Sequence, residues 1–239
     1  MAERHHFPRR DGSLVEVVWT AASDGDFHID GDRPALTERR AGIMPGAWAV
    51  ARQVHGNRVV DAEESLGTLD LPEADAITTS AVGQPISVQG ADCAPIAFVT
   101  NRGPIGVAHA GWRGLAGGVI AAVDERLREG NARVERAVVG PVICTDCYEF
   151  GAEDLDHVAS QLGEDVRATT SSGSPALDMR AGIISAFDAI DVTTVDFVGG
   201  CSSCDGGFSH RARQDLQRHC LVAQIRPGGP DGFARGAEN

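Results

Sequence analysis

Two histidines and one cysteine carry side chains that could share a metal ion: His55 in ARQVHGN, Cys93 in GADCAP and His109 in VAHAGWRG. Zinc takes imidazole nitrogen and thiolate sulfur, and a catalytic zinc keeps three protein ligands and one open position for water. Cys93 and His109 are sixteen residues apart, and each stands where an apolar run stops, which is where a scaffold presents reactive groups. On spacing alone a plainer reading stays open, with the cysteine a small hydrophobe and the histidines structural hydrogen-bonders. Arg113 and Arg211 are candidates for holding a phosphate, because a guanidinium meets phosphate in a planar, two-pronged way; the alternative is an exposed ion pair. Gln53 and Asp75 join them as candidate substrate contacts. Asp75 and Asp92 could also orient the histidine ligands from behind, or simply cap turns.

The stretch PISVQGADCAPIAFVTNRGPIGVAHAGWRG holds most of these residues. Its apolar runs at 85–88, 95–99 and 104–108 read as strands, the last two joined as a hairpin through Asn101-Arg102-Gly103. Further strands are expected at 14–20, 47–54, 74–80, 135–139, 193–198 and 221–225. Residues 59–60 would extend a hairpin through Gly56-Asn57. Helices are expected at 34–42, with Pro34 in the first turn, at 115–129 with Gly130 as the stop, at 154–162, and at 179–190 with Asp178 as N-cap. Residues 22–32 and 168–174 read as loops, the second mobile, and 61–73 as polar surface. Residues 1–12 read as a flexible end and 227–239 as a flexible tail. The expectation is one catalytic domain over 13–226, an α/β (α+β mixed) fold with mixed, partly antiparallel sheets flanked by helices.

The 239 residues carry a formal net charge of −13. That argues against a nucleic-acid groove or an anionic-membrane binder, although a local pocket for one phosphate is compatible with it. No apolar run is long enough for a transmembrane helix, and the start MAERHHFPRRDG has no apolar core of a secretory signal, so a cytoplasmic protein is expected. The partner implied is a small molecule, and the chain a monomer or homodimer. Six cysteines then read as reduced thiols or metal ligands. Cys144-x-x-Cys147 and Cys201-x-x-Cys204 have the form of a four-thiolate zinc site, but 54 residues separate Cys147 from Cys201 and neither pair is an obvious glycine-flanked knuckle. One metal per chain is expected, with these four cysteines reduced in buried or loop positions.

The strings QVHG, ADAITT, GADCAPIAF, VAHAGWRG, GPVICTDCYEFG and FSHRA occur in that order between residues 53 and 218. They resemble the YfiH-type family, also called the laccase-domain or multicopper polyphenol oxidoreductase family, whose bacterial members include peptidoglycan-editing factors. The resemblance implies a YfiH-like fold, similar to that of cytotoxic necrotizing factor. It implies a metal triad at His55, Cys93 and His109, which are also the catalytic residues, and zinc as the ion, with copper able to enter in vitro. It also implies phosphorolysis of purine nucleosides (adenosine, inosine, methylthioadenosine) to base and sugar 1-phosphate, with adenosine deamination alongside.

The same residues admit other chemistries. Cys93 could be a thiolate nucleophile with His109 as its base, in an amidohydrolase acting on a cell-wall precursor. Copper oxidation of polyphenols fits poorly, since the eight histidines are scattered and a blue-copper oxidase needs several His-rich sites. A zinc-stabilised binding module is the non-enzymatic alternative. The chain departs from the family pattern at residues 19–32, which lack the usual Gly-Gly and Arg, and at Ala212 and Gln217, while Arg211 and Arg218 match. These differences fall on the expected substrate pocket and leave the triad intact.

Overall fold

The computed structural model describes residues 1–68 and 70–228. Among the described residues twelve strands and seven helices follow one another as β1 (Glu3–Pro8), β2 (Leu14–Trp19), α1 (Arg33–Ile43), β3 (Val59–Asp61), α2 (Ala62–Ser65), β4 (Ala76–Thr79), β5 (Ile86–Gly90), β6 (Ala94–Thr100), β7 (Ile105–Ala110), α3 (Trp112–Ala116), α4 (Val119–Glu129), β8 (Val134–Val139), α5 (Ala152–Leu162), β9 (Arg167–Thr169), β10 (Pro175–Leu177), α6 (Met179–Asp188), β11 (Val195–Phe197), α7 (His210–Arg213) and β12 (His219–Arg226). β1-β2-β12-β5 form an antiparallel sheet, β11-β8-β6-β7-β4-β3 a mixed one, and β9 and β10 a hairpin.

Side-chain alternation along the strands stacks these sheets into layers. On β6, Ala97 and Val99 face the four-stranded sheet, where they meet Val15, Val17, Ile86 and Leu221. Ala94, Ile96 and Phe98 face the other way, onto Leu115, Ile120, Val123 and Ile183 of α3, α4 and α6. β6 is buried along its whole length, which is why its sequence reads as a continuous apolar run rather than an alternating one. Val18, Cys220 and Val222, on the outer face of the four-stranded sheet, pack on Leu36 of α1, Met44, Phe27 and Trp48. The order of layers is helix, sheet, sheet, helices.

The six-stranded sheet mixes parallel and antiparallel pairs, which is the mixed α/β architecture expected. The β6–β7 hairpin is present, and Asp178 caps α6 by accepting from the backbone N–H of Ala181 at 2.9 Å. Several segments differ from expectation. Residues 1–12, expected to be a loose end, supply β1, an edge strand whose His5 stacks on Trp19 at 4.6 Å. Residues 47–54 form no strand, only bridges at Ala49 and Arg52. β3 pairs parallel with β4 and not as a hairpin through Gly56-Asn57. The helix expected at 115–129 is two, broken at Gly117-Gly118, where Gly118 has a left-handed φ of 83°. Residues 168–174, expected to be a mobile loop, are mostly the hairpin turn between β9 and β10. Residues 229–239 of the expected flexible tail lie outside the described residues. Among the described residues no helix is long and apolar enough to cross a membrane.

Candidate metal centre

The chain crosses from one sheet to the other between β5 and β6, and Cys93 sits at the end of that crossing. Ala94 lies opposite Ala110 and Pro95 opposite His109 in the β6–β7 pair, so the register sets Cys93 beside the C-terminal end of β7. His55 arrives from the segment before β3. One donor atom from each of His55, Cys93 and His109 lies within 4.8 Å of the others, and Cys93 Sγ is 3.8 Å from His55 Nε2. Sulfur and nitrogen on one tetrahedral divalent ion stand about 3.6 Å apart for metal–ligand bonds of about 2.3 and 2.0 Å. The donor set therefore fits such an ion.

Asp75 organises this centre from behind. Its side chain is buried, and His109 Nδ1 donates to its Oδ1 at 2.9 Å. That bond turns the Nε2 lone pair of His109 away from Asp75 and toward the other donors. The same carboxylate accepts from the backbone N–H groups of Val54 (3.2 Å), His55 (2.9 Å) and Gly56 (2.7 Å). These bonds hold His55 in a left-handed conformation, φ 62°. One aspartate thus fixes the His109 imidazole and the backbone that carries His55.

Burial alone would raise the Cys93 thiol, but His109 and His55 overcome it and hold the thiol at about 6. Burial alone would lower His109, but Cys93 and Asp75 push it to about 9. Metal-free, the pair is a thiolate beside an imidazolium. A depressed thiol keeps its charged form above the depressed value and loses it only as pH falls through that value. Metal-stripped protein should therefore keep a nearly flat Cys93 alkylation rate from about pH 8 to about pH 7 and lose it below about pH 6, whereas an ordinary thiol (about 8.5) loses reactivity across that whole range. A rate that tracks an ordinary thiol, followed by mass spectrometry of the peptide, would contradict this arrangement.

Gly111 closes the cradle. A Cβ there would lie 2.7 Å from His55 Cδ2 and 3.1 Å from Cys93 Sγ. Gly111→Ala is expected to weaken metal binding by about 10- to 100-fold, because the two ligands are pushed off position. A competition titration against a chelator reads this directly, and unchanged affinity would show that the ligands need no such clearance.

The centre opens into a cavity of about 370 Å³ lined by His28, Gln53, His55, Gln89, Asp92, Cys93, His109, Tyr148, His210, Arg211 and Arg218, among others. Arg211, Arg218 and four imidazoles face it against one carboxylate, Asp92, in a chain with a net charge of −13. Both oxygens of Asp92 are occupied, Oδ1 by the Ser202 hydroxyl and Oδ2 by the Arg211 backbone N–H, each at 2.7 Å. Asp92 has a φ of 99°, so these two bonds secure an unusual backbone at the lip of the cavity. Its side-chain hydrogen bonds thus go to the cavity wall at Ser202 and Arg211 and not to the two histidines.

The expected substrate residues divide. Arg211 lines the cavity with its guanidinium 4.9 Å from the Tyr148 ring centre. Gln53 lines it too, but both ends of its amide are bonded to the Gln89 backbone, at 2.7 and 2.8 Å. Asp75 is not on the cavity wall; it lies behind the ligands. Arg113 is also outside: past Gly111 the chain enters α3, and Arg113 is exposed over the Trp112 ring at 4.2 Å. The second cation of the cavity is Arg218. His28, Gln89, Tyr148 and His210 were not anticipated. Adjacency was the available signal for His210, next to Arg211, while nothing in the loop around His28 marked it.

The chain matches the family described as multi-copper polyphenol oxidoreductase laccase over residues 18–225. It is 34% identical over 178 residues to adenosine deaminase RL5 of an unknown prokaryotic organism, covering 68% of each chain. It is 32% identical over 207 residues to purine nucleoside phosphorylase ORF3 of Streptomyces griseus, covering 80% of this chain and 84% of that one. Its fold superposes on Neisseria meningitidis protein NMB0706 with a TM-score of 0.77 at 23% identity, over 94% of this chain and 99% of that one. YlmD of Geobacillus stearothermophilus gives 0.73 at 25% identity, over 91% and 93%.

Proposed function

Because the chain belongs to the multi-copper polyphenol oxidoreductase laccase family, whose members similar to it include proteins named purine nucleoside phosphorylase and adenosine deaminase, we propose that it is a zinc-dependent purine nucleoside phosphorylase with adenosine deaminase side activity. Its substrates on this reading are adenosine, inosine and methylthioadenosine, cleaved with phosphate to base and ribose 1-phosphate. The observation that carries the reading is the meeting of a His–Cys–His donor set and a guanidinium-lined cavity of nucleoside size in an acidic chain.

Zinc, when bound, supplies a Lewis acid and a water whose pKa is lowered to about 7, suited to deamination. The protein's own groups supply the rest. Arg211 and Arg218 hold phosphate, each offering paired N–H donors to its oxygens. Asp75 keeps the proton of His109 on Nδ1, so Nε2 stays a donor atom for the ion. Burial, reinforced by Cys93, raises the Tyr148 phenol well above its usual range despite Arg211 alongside. Its Oη therefore retains a proton at neutral pH and can donate to a purine ring gaining charge.

The test is a panel of the three nucleosides with zinc-loaded protein, with and without phosphate, following base and ribose 1-phosphate. Arg211→Ala is expected to raise KM for phosphate about tenfold with a smaller change in that for nucleoside. If none of the three nucleosides is converted, the proposal fails.

The depressed Cys93 thiol beside His109 is what favours a second reading, a thiolate amidohydrolase of a peptidoglycan precursor. That activity would survive chelation and be lost on alkylation. Copper oxidation gains no support from the geometry. Among the described residues the donor clusters are this one and a set of four cysteines, and neither supplies the several imidazoles a multicopper centre requires.

A further inference from the structure

We propose that Cys144, Cys147, Cys201 and Cys204 form a second, structural zinc site that joins two otherwise separate loops at one wall of the cavity. The four sulfur atoms all lie within 4.8 Å of one another, and Cys144 Sγ is 3.9 Å from Cys204 Sγ. Four sulfurs around one zinc at about 2.3 Å stand about 3.8 Å apart. The spacing expected from sequence, two remote pairs in unrelated loops, is therefore not what the fold delivers.

Each loop is shaped to turn both of its sulfurs inward. Cys144 precedes a single 3-10 turn, Thr145–Cys147, closed by the Cys147 N–H donating to the Cys144 carbonyl at 3.1 Å. In the second loop the Asp205 carboxylate accepts from the Cys201 N–H at 2.6 Å, and the Asp205 N–H returns to the Cys201 carbonyl at 3.1 Å. Gly200 makes room for this, since a Cβ there would lie 1.9 Å from Asp205 Oδ2.

Backbone N–H groups also point at sulfur. Cys144 N–H donates to Cys201 Sγ at 3.2 Å and Ser203 N–H at 3.4 Å. Such donors suit a thiolate, which is the form that binds metal, better than a neutral thiol.

Two plainer accounts fit less well. Free cysteines kept as small hydrophobes should be buried, yet only Cys201 is; Cys144 and Cys147 are half-buried and Cys204 is exposed. A disulfide would need two neighbouring sulfurs and would leave the other pair unexplained. A closed four-thiolate shell uses all four, and it is the structural type of zinc site, distinct from the open three-ligand type.

The site has something to hold. Tyr148 follows Cys147 directly, and Ser202, between the two cysteines of the second loop, is the residue that hydrogen-bonds Asp92. Phe208 to Arg211 follow a few residues later. The ion would fix the loop bearing Tyr148 against the one leading to His210 and Arg211.

The test separates this site from the triad. In the His55→Asn, Cys93→Ser double variant, purified from zinc-supplemented cells and dialysed against a weak chelator, metal analysis should find about one zinc per chain. Adding Cys204→Ser should remove it and raise hydrogen exchange across residues 144–148 and 200–211. In the unaltered chain, exposed Cys204 should resist alkylation until a strong chelator is added, then react at least tenfold faster, a readout that needs no variant to fold. No zinc in the double variant, or equal Cys204 reactivity with and without chelator, overturns the proposal. The nucleoside panel is unaffected by that outcome, so the two readings fail separately.

Discussion

Asp75→Asn is expected to weaken metal binding at the His55–Cys93–His109 centre by about 100-fold, at the upper end of effects seen for groups that orient metal ligands. The wild-type carboxylate accepts four bonds, from His109 Nδ1 and from the backbone N–H groups of Val54, His55 and Gly56. An asparagine offers one oxygen and one NH2. With the oxygen toward His109 and His55, the NH2 faces the N–H groups of Val54 and Gly56, donor against donor. With the amide turned round, His109 must accept at Nδ1, which moves its proton to Nε2 and removes the lone pair the ion needs. Leaving buried donors without acceptors should also cost about 3 kcal/mol of stability. Isothermal competition for zinc and a denaturant titration measure the two effects. Wild-type zinc affinity in a folded Asp75→Asn variant would show that Asp75 does not set the His109 proton.

His55→Asn is expected to lower kcat/KM for nucleoside phosphorolysis about 1000-fold, the equivalent of about 4 kcal/mol of lost metal assistance. Asparagine is chosen because it tolerates the left-handed backbone, φ 62°, that this position requires. Its amide is too short to reach the ion. The variant leaves Cys93, His109 and the Asp75 bond in place and removes only the His55 share of what holds the thiol down, so a thiolate enzyme would lose far less than 1000-fold. Activity retained in the variant and in chelator-treated wild type, but abolished by alkylation, would replace the zinc reading with the thiol one. A cooperative thermal transition near that of wild type is the accompanying control; collapse of the fold instead would fit a zinc-stabilised binding module.

The strands and helices with strong local signals were legible. The β6–β7 hairpin follows from two apolar runs around Asn101-Arg102-Gly103, and α6 from its cap at Asp178. Segments whose state depends on distant partners were not. Residues 47–54 begin with an apolar run like that of a strand and run beside β5 at Ala49, but Gln53 places its side-chain amide where a ladder would need backbone, donating to and accepting from Gln89. The charged segment at residues 3–8 becomes β1 only because β2 offers a free edge, and charge suits an edge strand. Apolar spacing carried across Gly117-Gly118 hid a break that one left-handed glycine makes.

The triad was legible only through the resemblance carried by QVHG, GADCAP and VAHAGWRG, since spacing alone left plainer readings open, and the fold does bring the three donor atoms together. The cavity wall was less so. Arg113 lies next to the centre in sequence, yet the turn at Gly111 carries it onto Trp112. Arg218 is 109 residues beyond His109 and comes to the cavity only because β12 pairs with β5. The four cysteines look remote in sequence, but their loops follow β8 and β11, whose parallel pairing sets Val139 opposite Phe197 and so brings the two loops side by side.

The place of β12 bears on how the molecule is made. It lies between β2 and β5, which both leave the ribosome long before it does. Until residues 219–226 emerge, Val17 and Val88 have no strand to bridge them, and a nascent chain must carry that uncovered apolar surface. All three donor residues of the triad are synthesised by then, whereas Arg218 directly precedes the missing strand. An ion could thus be captured while the Arg218 side of the cavity is still unformed. On the proposed phosphorylase reading, phosphate binding would then be a property only of finished chains, and a stop codon before residue 218 would remove Arg218 together with the strand that joins β2 to β5.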